Sequence, residues 1–311
     1  MALAVELSVV VVAVQDNEAV VLCRNLPREG MGAPAYALPS GPFVPKSHRT
    51  FDLALKAFVR EQTGFDIGYV EQLYSFGDVG RETVLDGAVA GDHIISVGYL
   101  ALTNNRDFQS GFDAAWVPFN RFFPWEDWRG GGNAPLERLR PALDAWVAAD
   151  ETGVRRPRVE TLFPLDFDLW NEERVLDRYE LLYDAGLTRE ARRAQGLGDI
   201  DTLSGEPMAS DHRRIAATGL ARLRGKLKYR PVIFELMPER FTLLELQRSL
   251  EALSGISLHK QNFRRALERT GFVTPLGAMR EDTGGRPAEL HSYNREQFRF
   301  SPSLGLSLPR A

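Results

Sequence analysis

Residues 241–271 read FTLLELQRSLEALSGISLHKQNFRRALERTG, and the order of signals in this stretch decides the C-terminal fold. Thr242 followed by Glu245 is a capping box, and Phe241 and Leu246 flank it as a hydrophobic staple, so a helix start is specified twice. Leu246, Leu250 and Leu253 recur at helical spacing, and Gly255 supplies the stop. Ser257 offers a cap for a second helix that buries Phe263, Ala266 and Leu267 and ends at Gly271. Beyond it, Phe272, Val273, the Gly284-Gly285 turn and the alternating Ala288, Leu290 and Ser292 predict a hairpin, with Arg286 at its tip or just past it. Two helices, a tight turn and a hairpin are the order of a winged helix-turn-helix. The second helix leaves Lys260, Gln261, Asn262, Arg264, Arg265 and Arg269 off its apolar face. Arg, Asn and Gln suit purine edges in a major groove, Lys suits phosphates, and a wing Arg286 would reach a minor groove or a phosphate. The plainer alternative is an ordinary helical pair with a solvated basic face.

Charge supports the first reading. The chain of 311 residues carries a net charge of −4, but residues 211–311 hold 18 Lys and Arg against 10 Asp and Glu, leaving 20 against 32 in the rest. A basic C-terminal third on an acidic body is what a nucleic-acid-binding domain would leave, because phosphate neutralisation supplies most non-specific affinity. With 44% apolar and 26% charged residues, disorder is excluded and about two domains are expected. The single cysteine, Cys23, excludes an internal disulfide and reads as a small buried apolar group. The apolar run Val9 to Val14 follows Glu6 and is too short to span a bilayer, so the expected location is the cytoplasm.

At the N-terminus, Leu7 to Val14 and Ala19 to Cys23 are β-branched runs that predict a hairpin, followed by the loop Leu38-Pro39-Ser40-Gly41 and a helix from Asp52 to Gln62 ending at Thr63-Gly64. Leu55, Phe58 and Val59 form that helix's apolar face, and strands follow at Val70 to Phe76 and Ile94 to Leu102. Strand, Leu-Pro-x-Gly loop, helix and Thr-Gly-Phe together resemble the Nudix fold, which implies a site for diphosphate hydrolysis on carboxylate-held metal. The residues depart from that family's helix, which carries Arg-Glu-x-x-Glu-Glu. This chain reads Ala57-Phe58-Val59-Arg60-Glu61-Gln62, so Glu61 alone survives, and Arg49 falls near the family's upstream glutamate. Divalent metal needs hard oxygen ligands, and Phe58 offers none. The expectation is a pocket without a metal, without catalytic residues and without the reaction, holding nucleotide phosphate through Lys46, Arg49, Arg60 and Arg81. Scattered surface cations are the bland alternative for each of these. The rival function is a nucleotide diphosphate hydrolase acting on ADP-ribose or NAD with Glu61 and a carboxylate such as Asp52 or Asp66.

Between the halves, Pro118 to Trp128 holds three phenylalanines and two tryptophans, which reads as packing rather than as a base-stacking platform. Gly130 to Gly132 reads as a connection, Asp166-x-Asp168 as a turn, and Gly196-Leu197-Gly198 as too isolated for a dinucleotide fingerprint. Helices are expected from Pro141 to Trp146, from an Asn171 cap to Gly186, and from an Asp211 cap to Lys228. The last turns Ile215, Leu220, Leu223 and Leu227 inward and leaves Arg213, Arg214, Arg222, Arg224, Lys226 and Lys228 outside, free to meet DNA backbone or the acidic body.

Asp211-His212-Arg213-Arg214-Ile215, Leu223-Arg224-Gly225-Lys226-Leu227, Phe234-Glu235-Leu236-Met237-Pro238, Asn262-Phe263-Arg264-Arg265 and Gly285-Arg286-Pro287-Ala288 are similar to the Nudix-related transcriptional regulators of NAD metabolism, most of all to longer forms with extra sequence before the winged helix. That resemblance implies a homodimer on a palindromic operator before NAD-synthesis or salvage genes, with an effector nucleotide (NAD, ADP-ribose or ATP) and no required cofactor. The fold class expected is α+β: a Nudix-like α/β/α sandwich over residues 1–118, a mainly helical insert over 119–210, a connecting helix over 211–228 and a winged helix over 229–300.

Overall fold

The computed structural model describes residues 3–27, 35–68, 70–78, 93–105, 111–197, 203–281 and 287–296. Its first half is a mixed sheet of β1 (Leu3–Gln15), β2 (Glu18–Asn25), β3 (Tyr36–Ala37) and β4 (Ser40–Pro42), then α1 (Phe51–Thr63), β5 (Val70–Phe76), β6 (His93–Leu102) and β7 (Ala114–Pro118). Strand order is β3-β2-β1-β6-β5, with β4 on β1 and β7 on β2. The central pair β1·β6 is parallel from Leu3↔His93 to Val12↔Leu102. A parallel pair is covered on both faces, which is why both strands are nearly continuous apolar runs. Leu7, Val9 and Val11 meet Leu55, Phe58 and Val59 of α1 on one face, while Val10 and Val12 face the opposite core. The β1–β2 hairpin turns through Asp16 and Asn17, both at positive φ (50° and 63°), the geometry that matches strand twist.

The second layer is helical: α2 (Phe119–Phe122), α3 (Ala134–Ala148), α4 (Arg155–Leu162), α5 (Val175–Asp184) and α6 (Arg189–Ala194) pack around α7 (His212–Tyr229). The winged helix follows as β8 (Phe241–Thr242), α8 (Leu243–Ser254), α9 (Lys260–Thr270), β9 (Val273–Arg280) and β10 (Ala288–Tyr293), with the three strands ordered β8-β10-β9. One cluster of buried residues runs from Val10 and Val12 through Trp125, Trp170, Tyr179 and Leu220 to Leu250, Phe263 and Leu267. The Pro118–Trp128 aromatics are packing, with Phe119, Phe122, Phe123 and Trp125 all buried. Cys23 is fully buried, and burial pushes its thiol well above the usual range. None of the described helices is long and apolar enough to cross a membrane.

Several local expectations are corrected. Pro141 does not open a helix. It lies inside α3, which begins at an Asn133 cap with Pro135 in its first turn, where a missing N–H costs nothing. Asn171 caps a turn instead of a helix: its Oδ1 accepts from Glu173 N at 3.0 Å, and α5 starts at Val175. Ser257 does not cap α9, whose N-cap is His259, because its hydroxyl donates to the Arg129 carbonyl at 3.0 Å. Asp211 stands at the N-cap of α7 without a side-chain cap bond and pairs with Arg214 at 3.2 Å.

The largest correction concerns the cations of α7. Arg213 and Arg224 are 0% and 3% exposed. Arg213 reaches Glu190 at 3.2 Å and the Phe122 carbonyl, and its guanidinium sits among the rings of Phe123, Trp125 and Tyr179. Arg214 meets Glu180 at 2.5 Å, Lys226 meets Glu71, and Lys228 meets Glu172 at 3.0 Å. Of the two partners expected for this face, the helix meets the acidic body.

Candidate DNA interface and Nudix-type loop

The helix-turn-helix is built as its sequence specifies. Thr242 Oγ1 accepts from Glu245 N at 3.2 Å and the Glu245 carboxylate accepts from Thr242 N at 2.7 Å, completing the capping box, with Phe241 and Leu246 both buried beside it. Gly255, at φ 74°, closes α8. Along α9, Phe263, Ala266 and Leu267 are buried, whereas Lys260, Gln261, Asn262, Arg264, Arg265 and Arg269 are exposed. None of these six is ion-paired to a described residue, so the amide and cationic groups of α9 face solvent. The exposed stretch Thr274 to Met279 of β9 forms one side of the wing. Arg286 lies outside the described residues.

The turn before α9 is held from three sides. Gly255 O accepts from Trp128 N at 2.7 Å, Ser257 Oγ donates to Arg129 O, and Arg224 Nε donates to Leu253 O at 2.8 Å. Arg224 also pairs with Glu126 at 2.5 Å, as does Arg178 of α5. Burial depresses the Arg224 guanidinium below the ordinary arginine range, Glu126 pulls it back up, and the neighbouring Arg178 pushes it down again. Arg129 extends the link to the β1–β2 hairpin, donating to Asn17 O at 2.6 Å and to the Glu18 carboxylate at 2.8 Å. Sequence reasoning missed Glu126, Arg129 and Arg178: Glu126 and Arg178 have their ion-pair partners far along the chain, and Arg129, although paired locally with Asp127 at 2.6 Å, makes its tie to the hairpin over more than a hundred residues.

In the Nudix-type loop, the Phe58 ring lies against Gly41 so closely that a Cβ there would be 2.8 Å from it. Val44 N donates to His48 Nδ1 at 3.1 Å, and the His48 ring packs edge-on against Phe58. The surviving Glu61 is exposed. Asp66 pairs with Arg60 at 2.6 Å and Asp52 with Lys56 at 3.1 Å. Among the described residues no three His, Cys, Asp or Glu side chains are grouped to hold a metal ion. An aromatic ring and cation-paired carboxylates do not fit a divalent metal at this loop. Lys46 and Arg49 are exposed on the segment before α1, whereas Arg60 lies about 14 Å along that helix from Phe51. Arg81 lies outside the described residues.

The loop is tied to α7 from behind. Leu38 N donates to His212 Nδ1 at 3.0 Å, which places the ring's proton on Nε2.

The family model of the NrtR DNA-binding winged helix domain matches residues 233–293. That segment is similar to the winged helix of NrtR. A curated ADPR responsive transcriptional repressor of Acinetobacter baylyi is 34% identical over 103 residues, which is 33% of this chain and 41% of that relative's length. Shewanella oneidensis NrtR, in a crystal structure complexed with a 27mer DNA, is 18% identical, with a TM-score of 0.56 over 98% of both chains. A MutT/nudix family protein of Enterococcus faecalis has a TM-score of 0.52 at 15% identity, over 94% of this chain and 87% of its own. These likenesses give the fold: a Nudix-like sandwich in front of an NrtR-type winged helix.

Proposed function

We propose that the protein is a transcriptional repressor of NAD-biosynthesis or salvage genes that binds DNA through α9 and senses an NAD-related nucleotide through its Nudix-like half. The observation that carries this reading is the α9 surface: Lys260, Gln261, Asn262, Arg264 and Arg265 are exposed on a well-capped helix-turn-helix and unpaired among the described residues. The relative from Acinetobacter baylyi, named for its response to ADPR, favours ADP-ribose over NAD or ATP as the effector. A homodimer would carry two such helices at a fixed separation, so the operator would be an inverted repeat.

The same reading explains α7. His212 grips the Nudix-type loop and Arg224 grips the helix-turn-helix, roughly 18 Å apart along one rigid helix. An effector that prefers one placement of the loop would thereby bias the placement of α9. We infer no diphosphate hydrolysis, because Phe58 occupies the loop where a metal-binding carboxylate would be needed. Metal-dependent turnover of ADP-ribose that disappears in Glu61→Gln would reverse that inference.

The deciding experiment is binding of the purified protein to its own upstream region and to NAD-gene promoters, with and without ADP-ribose, NAD and ATP, at several salt concentrations. Specific, salt-sensitive binding altered by one nucleotide is expected, and the absence of any sequence preference would sink the proposal. Arg264→Ala or Arg265→Ala should weaken operator binding by about 1–3 kcal/mol and relax specificity, whereas Lys260→Ala should reduce the salt slope by about one. Effector response unchanged in both Lys46→Ala and Arg49→Ala would remove those cations from the ligand site.

A further inference from the structure

A cleft of about 900 Å³ lies between the two halves of the chain. One wall is the end of the Nudix-like sheet, with Leu100, Leu102 and Asn104. The other is the stretch entering the winged helix together with Leu276 and Tyr293 of the wing. Across it, Asn104 Nδ2 donates to the Met237 carbonyl at 3.0 Å, a direct tie between the walls. Its volume is that of a small-molecule site, and such sites favour the seams between domains.

The lining has a definite chemistry. Arg230 from the end of α7, Arg240 before β8 and Arg295 after β10 all border this one space. Three chain segments therefore bring guanidinia to it. Among the described residues, none of these three has an ion-pair partner. Glu71, also in the lining, is neutralised by Lys226 and lies 3.7 Å from Arg222. Apolar surface adjoins the cations: Leu276 is 41% exposed, and the half-buried Tyr293 ring is stacked flat on Phe234 at 4.1 Å. Glu235 and Glu239 add acceptors. Guanidinia suit phosphate oxygens, carboxylates suit hydroxyl donors, and apolar wall suits a ring.

We propose that this cleft between the Nudix-like sheet and the winged helix binds a nucleoside phosphate, at a site separate from the Nudix-type loop. A ligand there touches both halves, so it sets the width of the cleft and with it the placement of the wing and α9. A preference for one width is enough to shift DNA affinity, with no relay through the core. This inference rests on the sensor reading above for its consequence, but not for the binding itself.

The test is calorimetric titration of the full-length protein with ADP-ribose, ADP and pyrophosphate, for wild type, Arg230→Ala/Arg240→Ala and Lys46→Ala/Arg49→Ala, alongside an operator-binding assay without nucleotide. All four side chains are exposed, so both variants should fold, which a thermal melt checks. The expected result is at least a tenfold loss of ADP-ribose or ADP affinity, or loss of one of two binding events, in the cleft variant, with that same event kept in the loop variant. Nucleotide binding of equal affinity and stoichiometry in wild type and the cleft variant would overturn the proposal, as would wild type that binds none of the three probes. Weaker operator binding with unchanged nucleotide binding would assign the arginines to DNA backbone, again against the proposal. Loss of the repressor reading would instead show as wild type that binds nucleotide at the cleft but no operator.

Discussion

Glu126→Ala should lower the free energy of unfolding by about 3–5 kcal/mol, read as a shift in the midpoint of chemical denaturation. Glu126 is 3% exposed and its two oxygens serve Arg178 Nε at 2.5 Å, Arg178 Nη2 at 2.9 Å and Arg224 Nη1 at 2.5 Å. Arg178 and Arg224 are themselves 1% and 3% exposed. Removing the carboxylate leaves two guanidinia side by side in the core, Arg178 with the Leu162 and Asn171 carbonyls and the Trp170 ring, Arg224 with the carbonyls of Leu253, Glu172 and position 126 itself. Carbonyl dipoles satisfy donors but do not cancel two like charges. The magnitude reflects the cost of uncompensated charge, not the net worth of the triad, so replacing all three residues by apolar ones of similar volume should be far milder than Glu126→Ala alone. A Glu126→Ala loss below about 1 kcal/mol would mean that water reaches the guanidinia and that the site is a surface ion pair in its energetics.

That triad shows where sequence reasoning stops. The capping box at Thr242 and Glu245, the stripe of Leu246, Leu250 and Leu253, and the exposed polar side of α9 were all legible, because each depends on spacing within one helix. The central strands were legible because burial on both faces leaves an unbroken apolar run. Helical periodicity also placed Arg213 and Arg224 off the Ile215, Leu220, Leu223 and Leu227 stripe, and there it misled. A helix wrapped by a sheet on one side and by an insert on the others has no solvent face at those positions. Its cations are then buried against carboxylates such as Glu126 and Glu190, 98 and 23 residues away. Ser257 failed as a cap for a related reason: its hydroxyl is spent on Arg129, 128 residues earlier. The cleft was illegible because Arg230, Arg240 and Arg295 meet only once the sheet, α7 and the wing are assembled.

Gly255→Ala should be costly for two separable reasons, and a second glycine isolates them. At φ 74° an alanine pays about 1–2 kcal/mol for the left-handed conformation. The same charge falls on Gly186→Ala, where φ is 67° and nothing lies within 4 Å of the added Cβ. At Gly255, however, that Cβ would sit 2.1 Å from the Glu126 carbonyl oxygen and 2.8 Å from Arg224 Nη2. The first neighbour is backbone and cannot rotate away, so the turn must lift off the Trp125–Gly130 segment, breaking the Trp128 N to Gly255 O bond. An additional loss of about 1–3 kcal/mol over Gly186→Ala is expected, the usual range for overpacking. Because α9 begins five residues after Gly255, lifting the turn also moves the helix relative to the body. In a fluorescence titration, and with the cations of α9 as the proposed phosphate contacts, Gly255→Ala should therefore keep non-specific, salt-dependent DNA binding. On the same proposal it should lose the preference for operator DNA and the response to nucleotide, which would need α9 held in register with the rest of the chain. Equal stability of the two alanine variants, with operator preference intact in both, would mean that the turn moves freely. α9 would then be oriented by its own apolar face alone, and Glu126, Arg178 and Arg224 would serve the core and not the reading of DNA.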